Sequence, residues 1–428
     1  MSSWTSSDSS IASNCSTKTA KHEVKLGKVL YSHCSTYSIL TFIGEGYFGK
    51  VAMCKNVYTL ETVAIKILKH DAHIKQDHER ELFMLKQISV LDPDKTNVVR
   101  FYEHFEHEGN ICLVFEILDC NLIHLVEERQ RQPLSLAEIR VIAHQLLVAL
   151  DSLKVIGVVH TDIKPDNIML VNRQEQPLRV KLIDFGNAIL ASKIKKGLDI
   201  QPVGYRAPEI TLGLPYNENI DVWSVGCILA FLLLPGNLFC INCEYQMMKR
   251  IISLLGQPDD HVLQTGKYTE NYFTEDEDVG YFHYRFMTPE EYEAANNEKP
   301  KEPSGCRPCA KPLEELLLPP VEGEVAQGEL EERKAFMELL KCMLHVDGLQ
   351  RISATEALRH PFTTMTHLAN AASRSLLTQK RITLFDDEQL IPANQKGANG
   401  TSKSILRRIR RFFRRMTSSF YRRRMLMD

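Results

Sequence analysis

The stretch His160-Thr-Asp162-Ile-Lys164-Pro-Asp-Asn167, with Ile183-Asp184-Phe-Gly186 sixteen residues further on, decides how this chain is read. Ala207-Pro-Glu209 follows, 25 residues after Asp184. Each piece alone is weak, because a lone buried aspartate is usually just hydrogen-bonded. Toward the N-terminus, Val63-Ala-Ile-Lys66 places a lysine inside an apolar strand. Burying it is costly unless it snorkels or holds an anion. Glu81, on the helix that follows, is its natural partner, with Glu79 as the alternative. Fifteen residues before Lys66, Val51 closes Gly44-Glu-Gly-Tyr-Phe-Gly49-Lys-Val51, a G-x-G-x-x-G-x-V pattern between two strand candidates. Glycines there let backbone N–H groups approach phosphate oxygens closely. A dinucleotide-binding turn needs a helix directly after it, whereas Lys50 to Asn56 reads as strand.

Together and in this order, these motifs resemble those of the eukaryotic protein kinases, over roughly Tyr37 to Phe362. The resemblance implies an α+β fold of two lobes: a small, mostly β N-lobe (37–117) and a larger, helical C-lobe (121–362). It implies ATP and Mg²⁺ as cofactors and protein hydroxyls as acceptors. Ile43, Gly44, Glu45, Gly46, Tyr47, Phe48, Gly49, Lys50 and Val51 would cover the ATP phosphates. Lys66 would hold the α- and β-phosphates, oriented by Glu81. Asp184 would bind one Mg²⁺ and Asn167 a second. Asp162 would accept or orient the acceptor's hydroxyl proton, and Lys164 would steady the γ-phosphate. Phe115 would back the adenine pocket, with backbone groups of Glu116 and Leu118 on the base. Asp221 and Trp223 would support the loop around Asp162, and Glu209 would pair with Arg351. Lys-Pro-Asp-Asn after Asp162 resembles serine/threonine rather than tyrosine kinases.

Tyr205-Arg206-Ala-Pro-Glu-Ile resembles the branch of cyclin-dependent, mitogen-activated and dual-specificity kinases. Lys66-Ile-Leu-Lys, Cys112-Leu-Val-Phe-Glu, Asp166-Asn-Ile-Met-Leu-Val171, Ile210-Thr-Leu-Gly-Leu-Pro215, His160-Thr-Asp and His360-Pro-Phe-Thr-Thr-Met-Thr-His-Leu368 narrow it to the homeodomain-interacting protein kinases. That family implies nuclear signalling and a leaning toward Ser/Thr followed by proline. It usually carries an activating tyrosine two residues before a glutamine; here that position is Asp199, in Asp199-Ile-Gln201, and an arginine expected three residues before Arg206 is Val203. One Arg and one Asp stand where two arginines would meet a phosphotyrosine. Two readings follow: a loop held in its working shape without tyrosine phosphorylation, or else drift in a loop that no longer matters or an impaired enzyme.

The chain has 428 residues, 44% hydrophobic and 25% charged, a globular mix that excludes a wholly disordered or fibrous protein. Net charge is −2, but residues 401–428 carry Lys403 and nine arginines against Asp428, a sum of +9, which leaves −11 for the rest. Eleven cysteines are no disulfide framework. The N-terminus shows no signal peptide, residue 2 is not glycine, and Val225 to Leu234 is too short to span a bilayer. A protein of the nucleus or cytoplasm, monomeric and not secreted, is expected.

Eleven of the first twenty residues are Ser or Thr, so 1–30 reads as disordered. Strands are expected from Tyr37, at Lys50–Asn56, Glu61–Leu68 and Ile111–Ile117, with a helix over Asp77–Ile88. Ser135 to Glu138 is a capping box opening a helix to about Val155. Asp221–Leu234 is apolar all round, as in a central helix, and Lys334–Leu344 and Ser353–Leu358 are later helices. Residues 269–303 carry a net charge of −7 and read as a surface insertion; 363–400 reads as a linker.

Cys240-Ile-Asn-Cys243 and Cys306-Arg-Pro-Cys309 have metal-ligand spacing, but about sixty residues separate the pairs, so ordinary free cysteines are expected. In the 401–428 tail, Ile405, Leu406, Ile409, Phe412, Phe413, Met416 and Phe420 fall on one helical face, opposite Arg407, Arg408, Arg410, Arg411, Arg414 and Arg415. Such a basic amphipathic helix suits an anionic membrane, a calmodulin-like groove or an import receptor, and equally a return onto the acidic body. Nucleic acid is the weaker partner. Two function classes stand: a protein Ser/Thr kinase, favoured by Lys66, Asp162 and Asp184, and a kinase-fold scaffold recruiting partners through tail and insertion.

Overall fold

The computed structural model describes residues 25–45, 49–68, 75–275, 283–306, 312–317 and 327–368. The Ser/Thr-rich N-terminus, Gly46, Tyr47 and Phe48, most of the linker and the basic tail lie outside them. The chain divides into two compact units, residues 1–70 with 103–114, and residues 71–102 with 115–428.

The first unit is built on a six-stranded sheet in the order β1-β2-β3-β4-β6-β5. The strands are β1 (Val29–Tyr31), β2 (Thr36–Glu45), β3 (Gly49–Asn56), β4 (Thr62–Leu68), β5 (Phe101–His107) and β6 (Asn110–Glu116). Period-two burial fixes the faces. In β4, Val63, Ile65 and Ile67 are buried with Ile39, Ala52, Cys54, Cys112 and Val114 in one core, so Ala64 and Lys66 stand on the other face. Tyr37 stacks on Phe105, with ring centroids 5.9 Å apart. Gly49 is where β3 starts against β4; a Cβ there would lie 2.0 Å from the Ile67 carbonyl oxygen, so no other residue fits without moving the strands.

The second unit is mostly helical. Helices α1 (Lys75–Ile88) and α2 (Pro93–Thr96) precede α3 (Leu122–Glu128) and α4 (Leu136–Val155). The α1 helix, expected within the small lobe, groups by its packing with this unit: Ile88 lines a cavity with Val98 and Val99. Helix α4 opens on the Ser135–Glu138 capping box and packs along α6 (Asn219–Leu233). Fourteen of the fifteen residues of α6 are buried, and so the helix forms the axis of the unit. Between them run four short strands, β7 (Val158–Val159), β8 (Ile168–Asn172), β9 (Gln176–Leu182) and β10 (Ile189–Leu190), paired as β7–β10 and β8–β9. Helices α5 (Pro208–Thr211) and α7 (Glu244–Leu255) complete the frame used below.

The acidic insertion is more than a surface loop. Phe273–Glu275 pairs antiparallel with Tyr284–Phe286, and Pro289–Asn296 is a helix with its own capping box, Thr288 with Glu291. Tyr272 and Phe273 are buried with Leu212, Leu214, Met248 and Leu263, and Tyr284, Phe286 and Tyr292 pack on that cluster. Its described charged side chains lie at least partly exposed, while its aromatic residues anchor it. Among the described residues no helix is long and apolar enough to cross a membrane.

Candidate active site

In the first unit the register of the sheet lines up three expected phosphate contacts. Gly44 is opposite Val51 and Val51 is opposite Lys66, across β2, β3 and β4, with Glu45 opposite Lys50 beside them. Two irregularities in β2, at Ile39/Thr41 and Phe42/Gly44, twist the strand as it approaches the glycine turn. Ile43 is half exposed at that end. Of the nine glycine-loop residues, Gly46, Tyr47 and Phe48 are outside the described set.

The second unit gathers Asp162, Lys164 and Asn167. The loop between β7 and β8 is held from below by Asp221, at the start of α6, whose carboxylate accepts from the N–H groups of His160 at 2.7 Å and Thr161 at 3.0 Å. Burial pushes the Asp221 carboxyl up to about 6, against those two bonds and the nearby His160. Thr161 takes a positive φ of 63°, a strained conformation that these bonds impose. The buried His160 ring bridges two loops: Nδ1 accepts from the Asp162 N–H at 3.2 Å, and Nε2 is 3.0 Å from the Ile183 carbonyl. Protonation at Nε2 satisfies both. Its ring meets Phe185 edge-on at 4.8 Å.

Asp162 thus sits at a fixed point. Its carboxylate accepts from Lys164 Nζ at 3.0 and 3.1 Å, from Asn167 Nδ2 at 3.1 Å and from Asn187 Nδ2 at 3.3 Å. Asn167 Nδ2 also donates to the Asp162 carbonyl at 2.8 Å. Asp184, at φ 63°, accepts from the Gly186 N–H at 3.4 Å. A Cβ on Gly186 would meet Asp184 Oδ1 at 3.4 Å and Glu81 Oε2 at 3.8 Å, so both carboxylates flank that glycine. Glu81 is buried; Glu79 is exposed.

Glu116 reveals a residue the sequence did not single out. Lys181, on β9, has a side chain only 1% exposed and places Nζ 2.6 and 2.9 Å from the Glu116 carboxylate and 3.1 Å from Asp94. The same carboxylate accepts from the Arg100 N–H at 2.6 Å. The Glu116 N–H donates to the Arg100 carbonyl. Leu118 is buried just after it, and Phe115 packs against Phe101 at 5.5 Å. Replacing Lys181 with methionine strands the Glu116 carboxylate. Initial-rate kinetics are expected to show KM for ATP rising by about tenfold, or ~1.4 kcal/mol, with kcat changing less and Glu116→Gln recovering part of the loss.

In the segment after Asp184, Asp199 pairs with Arg206 at 2.6 Å. Arg206 also pairs with Glu244 and donates to the Gln201 carbonyl at 2.8 and 3.1 Å. Gln201 is the second residue the sequence undervalued. At φ 67° and buried, its Nε2 donates to the Ile220 carbonyl at 3.0 Å and Ser224 Oγ at 2.9 Å, while Oε1 accepts from the Ala207 N–H at 3.1 Å. Tyr205 donates to Asn237 Oδ1 at 2.6 Å. Glu209 and Arg351 form the ion pair the resemblance implied, at 2.5 and 2.8 Å, with Arg351 over the Trp223 ring at 5.0 Å. The nine described cysteines are all free, and among the described residues no group of three or more His, Cys, Asp or Glu is set to hold a metal ion.

Compared with known proteins, residues 37–363 match the protein kinase domain. Homeodomain-interacting protein kinase 2 of Mesocricetus auratus is 40% identical over 343 residues, 80% of this chain and 29% of that protein. Homeodomain-interacting protein kinase 1 of Caenorhabditis elegans is 38% identical over 353 residues, 78% and 40% of the two chains. Homeodomain-interacting protein kinase 4 of Mus musculus is 36% identical over 354 residues, 80% and 57%. The chain therefore spans between about three tenths and about three fifths of the length of these relatives.

Proposed function

Because the chain belongs to the protein kinase family, we propose that it transfers the γ-phosphate of Mg·ATP to serine and threonine hydroxyls of proteins, with a preference for a following proline, in nuclear signalling. The observation that carries this reading is the Asp162 carboxylate, fixed by Lys164, Asn167 and Asn187 on a loop that Asp221 braces. Asp162 takes the role of orienting the acceptor hydroxyl and receiving its proton. Lys164, beside it, carries positive charge to the migrating phosphoryl group. Lys66 and the backbone of Gly44 to Val51 are assigned to the ATP phosphates, with Glu81 to orient the lysine, and the Glu116 carbonyl and Leu118 to the adenine. The residues present fit Mg²⁺: Asp184 offers a carboxylate, and Asn167 an amide oxygen whose amide nitrogen is already engaged. When bound, the ion neutralises phosphate charge.

Incorporation of γ-phosphate from Mg·ATP into a generic protein acceptor, with Asp184→Asn beside it, tests the reading. Transfer that vanishes in the variant supports it; no transfer with ATP binding intact moves the chain to the scaffold class. Peptides differing only in Ser, Thr or Tyr, with and without a following proline, resolve acceptor preference. The arginine face of the tail is proposed to take an anionic partner.

The Asp199–Arg206 pair supports a loop that keeps its shape without phosphotyrosine. Asp199 is 86% exposed, so the pair contributes ~0–1 kcal/mol. Glu244 and the Gln201 carbonyl hold Arg206 independently. Asp199→Ala is thus expected to lower the rate a few-fold, and phosphatase treatment to leave the unmodified chain's rate unchanged. A silent Asp199→Ala rejects the idea.

A further inference from the structure

The two Cys-x-x-Cys pairs lie about sixty residues apart in sequence, but the fold closes that gap. Asn237 forms a parallel bridge with Cys306, and its Nδ2 donates to the Gly305 carbonyl at 2.8 Å. The Ile241 N–H donates to the Ser304 carbonyl, while Asn242 donates to the Glu302 carbonyl at 2.9 Å and accepts from the Ser304 N–H at 3.1 Å. Gly305, at φ 71°, lies so close that a Cβ would be 2.3 Å from Ile241 Cγ1. This stapling sets Cys240 and Cys306 on facing segments, each next in the chain to one of the touching pair Ile241 and Gly305.

We propose that Cys240 and Cys306 form a reversible disulfide when the protein meets a peroxide, making this pair a redox modification site. The two thiols differ in the way such a step needs. Cys306 is partly exposed and takes the oxidant; Cys240 is buried, so the peroxide reaches Cys306 first. The Cys306 sulfur attacks one peroxide oxygen, giving a sulfenic acid and water. The Cys240 sulfur then attacks the Cys306 sulfur; the S–O bond breaks, and hydroxide leaves with the Cys240 proton as a second water. The bond would fasten residues 302–306 to the segment whose Asn237 holds Tyr205 and whose Ile241 lies against Gly204.

Full-length protein treated with hydrogen peroxide, alkylated and digested without reductant is expected to yield, for the majority of chains, a cross-linked peptide pair that dithiothreitol separates. The link should persist in Cys243→Ser/Cys309→Ser and disappear in Cys240→Ser and in Cys306→Ser. A cross-link that survives loss of Cys240 or Cys306, oxidation of Cys306 to sulfinate alone, or stoichiometric zinc in untreated protein that blocks the reaction would each overturn the proposal.

Discussion

Asp162→Asn is expected to lower phosphoryl transfer by ~10³-fold, while ATP still binds. Asparagine keeps the shape of the side chain, but its Oδ1 cannot take a hydroxyl proton, and its amide hydrogens face the donors Lys164, Asn167 and Asn187, which now surround the carboxylate. The loss should fall on kcat at saturating Mg·ATP, with nucleotide affinity measured separately by titration. A decrease of less than about tenfold would remove Asp162 from the role of proton acceptor.

Arg351→Met should produce the largest loss of stability, ~3–5 kcal/mol, read as a shift of the denaturant midpoint. Both members of the Glu209–Arg351 pair are buried, and Arg351 donates as well to the carbonyls of His345, at 2.9 and 3.2 Å, and Asn219, at 3.2 Å. Methionine fills much of the volume but leaves the Glu209 carboxylate and two carbonyls without their donor. A Glu209→Gln/Arg351→Met double variant should recover part of the loss, because the stranded charge is gone. If the single variant unfolds at the wild-type midpoint, the pair does not hold the unit together.

The sequence made the loop around Asp162, the Ile183-Asp184-Phe-Gly186 turn and the central helix readable because each depends on residues close in the chain or on a strong local period. Helix α4 announced itself through Ser135 and Glu138, and α6 through an apolar run with no polar face. Strand β5 did not, since Phe101-Tyr-Glu-His-Phe-Glu-His carries too many polar residues to form an apolar run, and only Phe105 of it is buried. Lys181 drew no notice in the sequence; its burial is set by Glu116, 65 positions earlier. Gln201 served only as a landmark, although its amide joins three parts of the unit. The acidic composition of 269–303 hid its aromatic anchors, and the long gap between the cysteine pairs hid the stapling of their two segments. In each miss, partners distant in the chain decide the outcome, and no local pattern encodes them.

The brace from α6 to the catalytic loop has a kinetic consequence. The amide hydrogens of His160 and Thr161 are bonded to a carboxylate on a helix that exposes almost none of its surface. They are released to solvent only when Asp221 moves, and Asp221 cannot move without opening the axis on which α4 packs. The amide protons of His160 and Thr161 are therefore expected to exchange with water on the timescale of whole-unit unfolding rather than of loop motion, read by native-state hydrogen exchange.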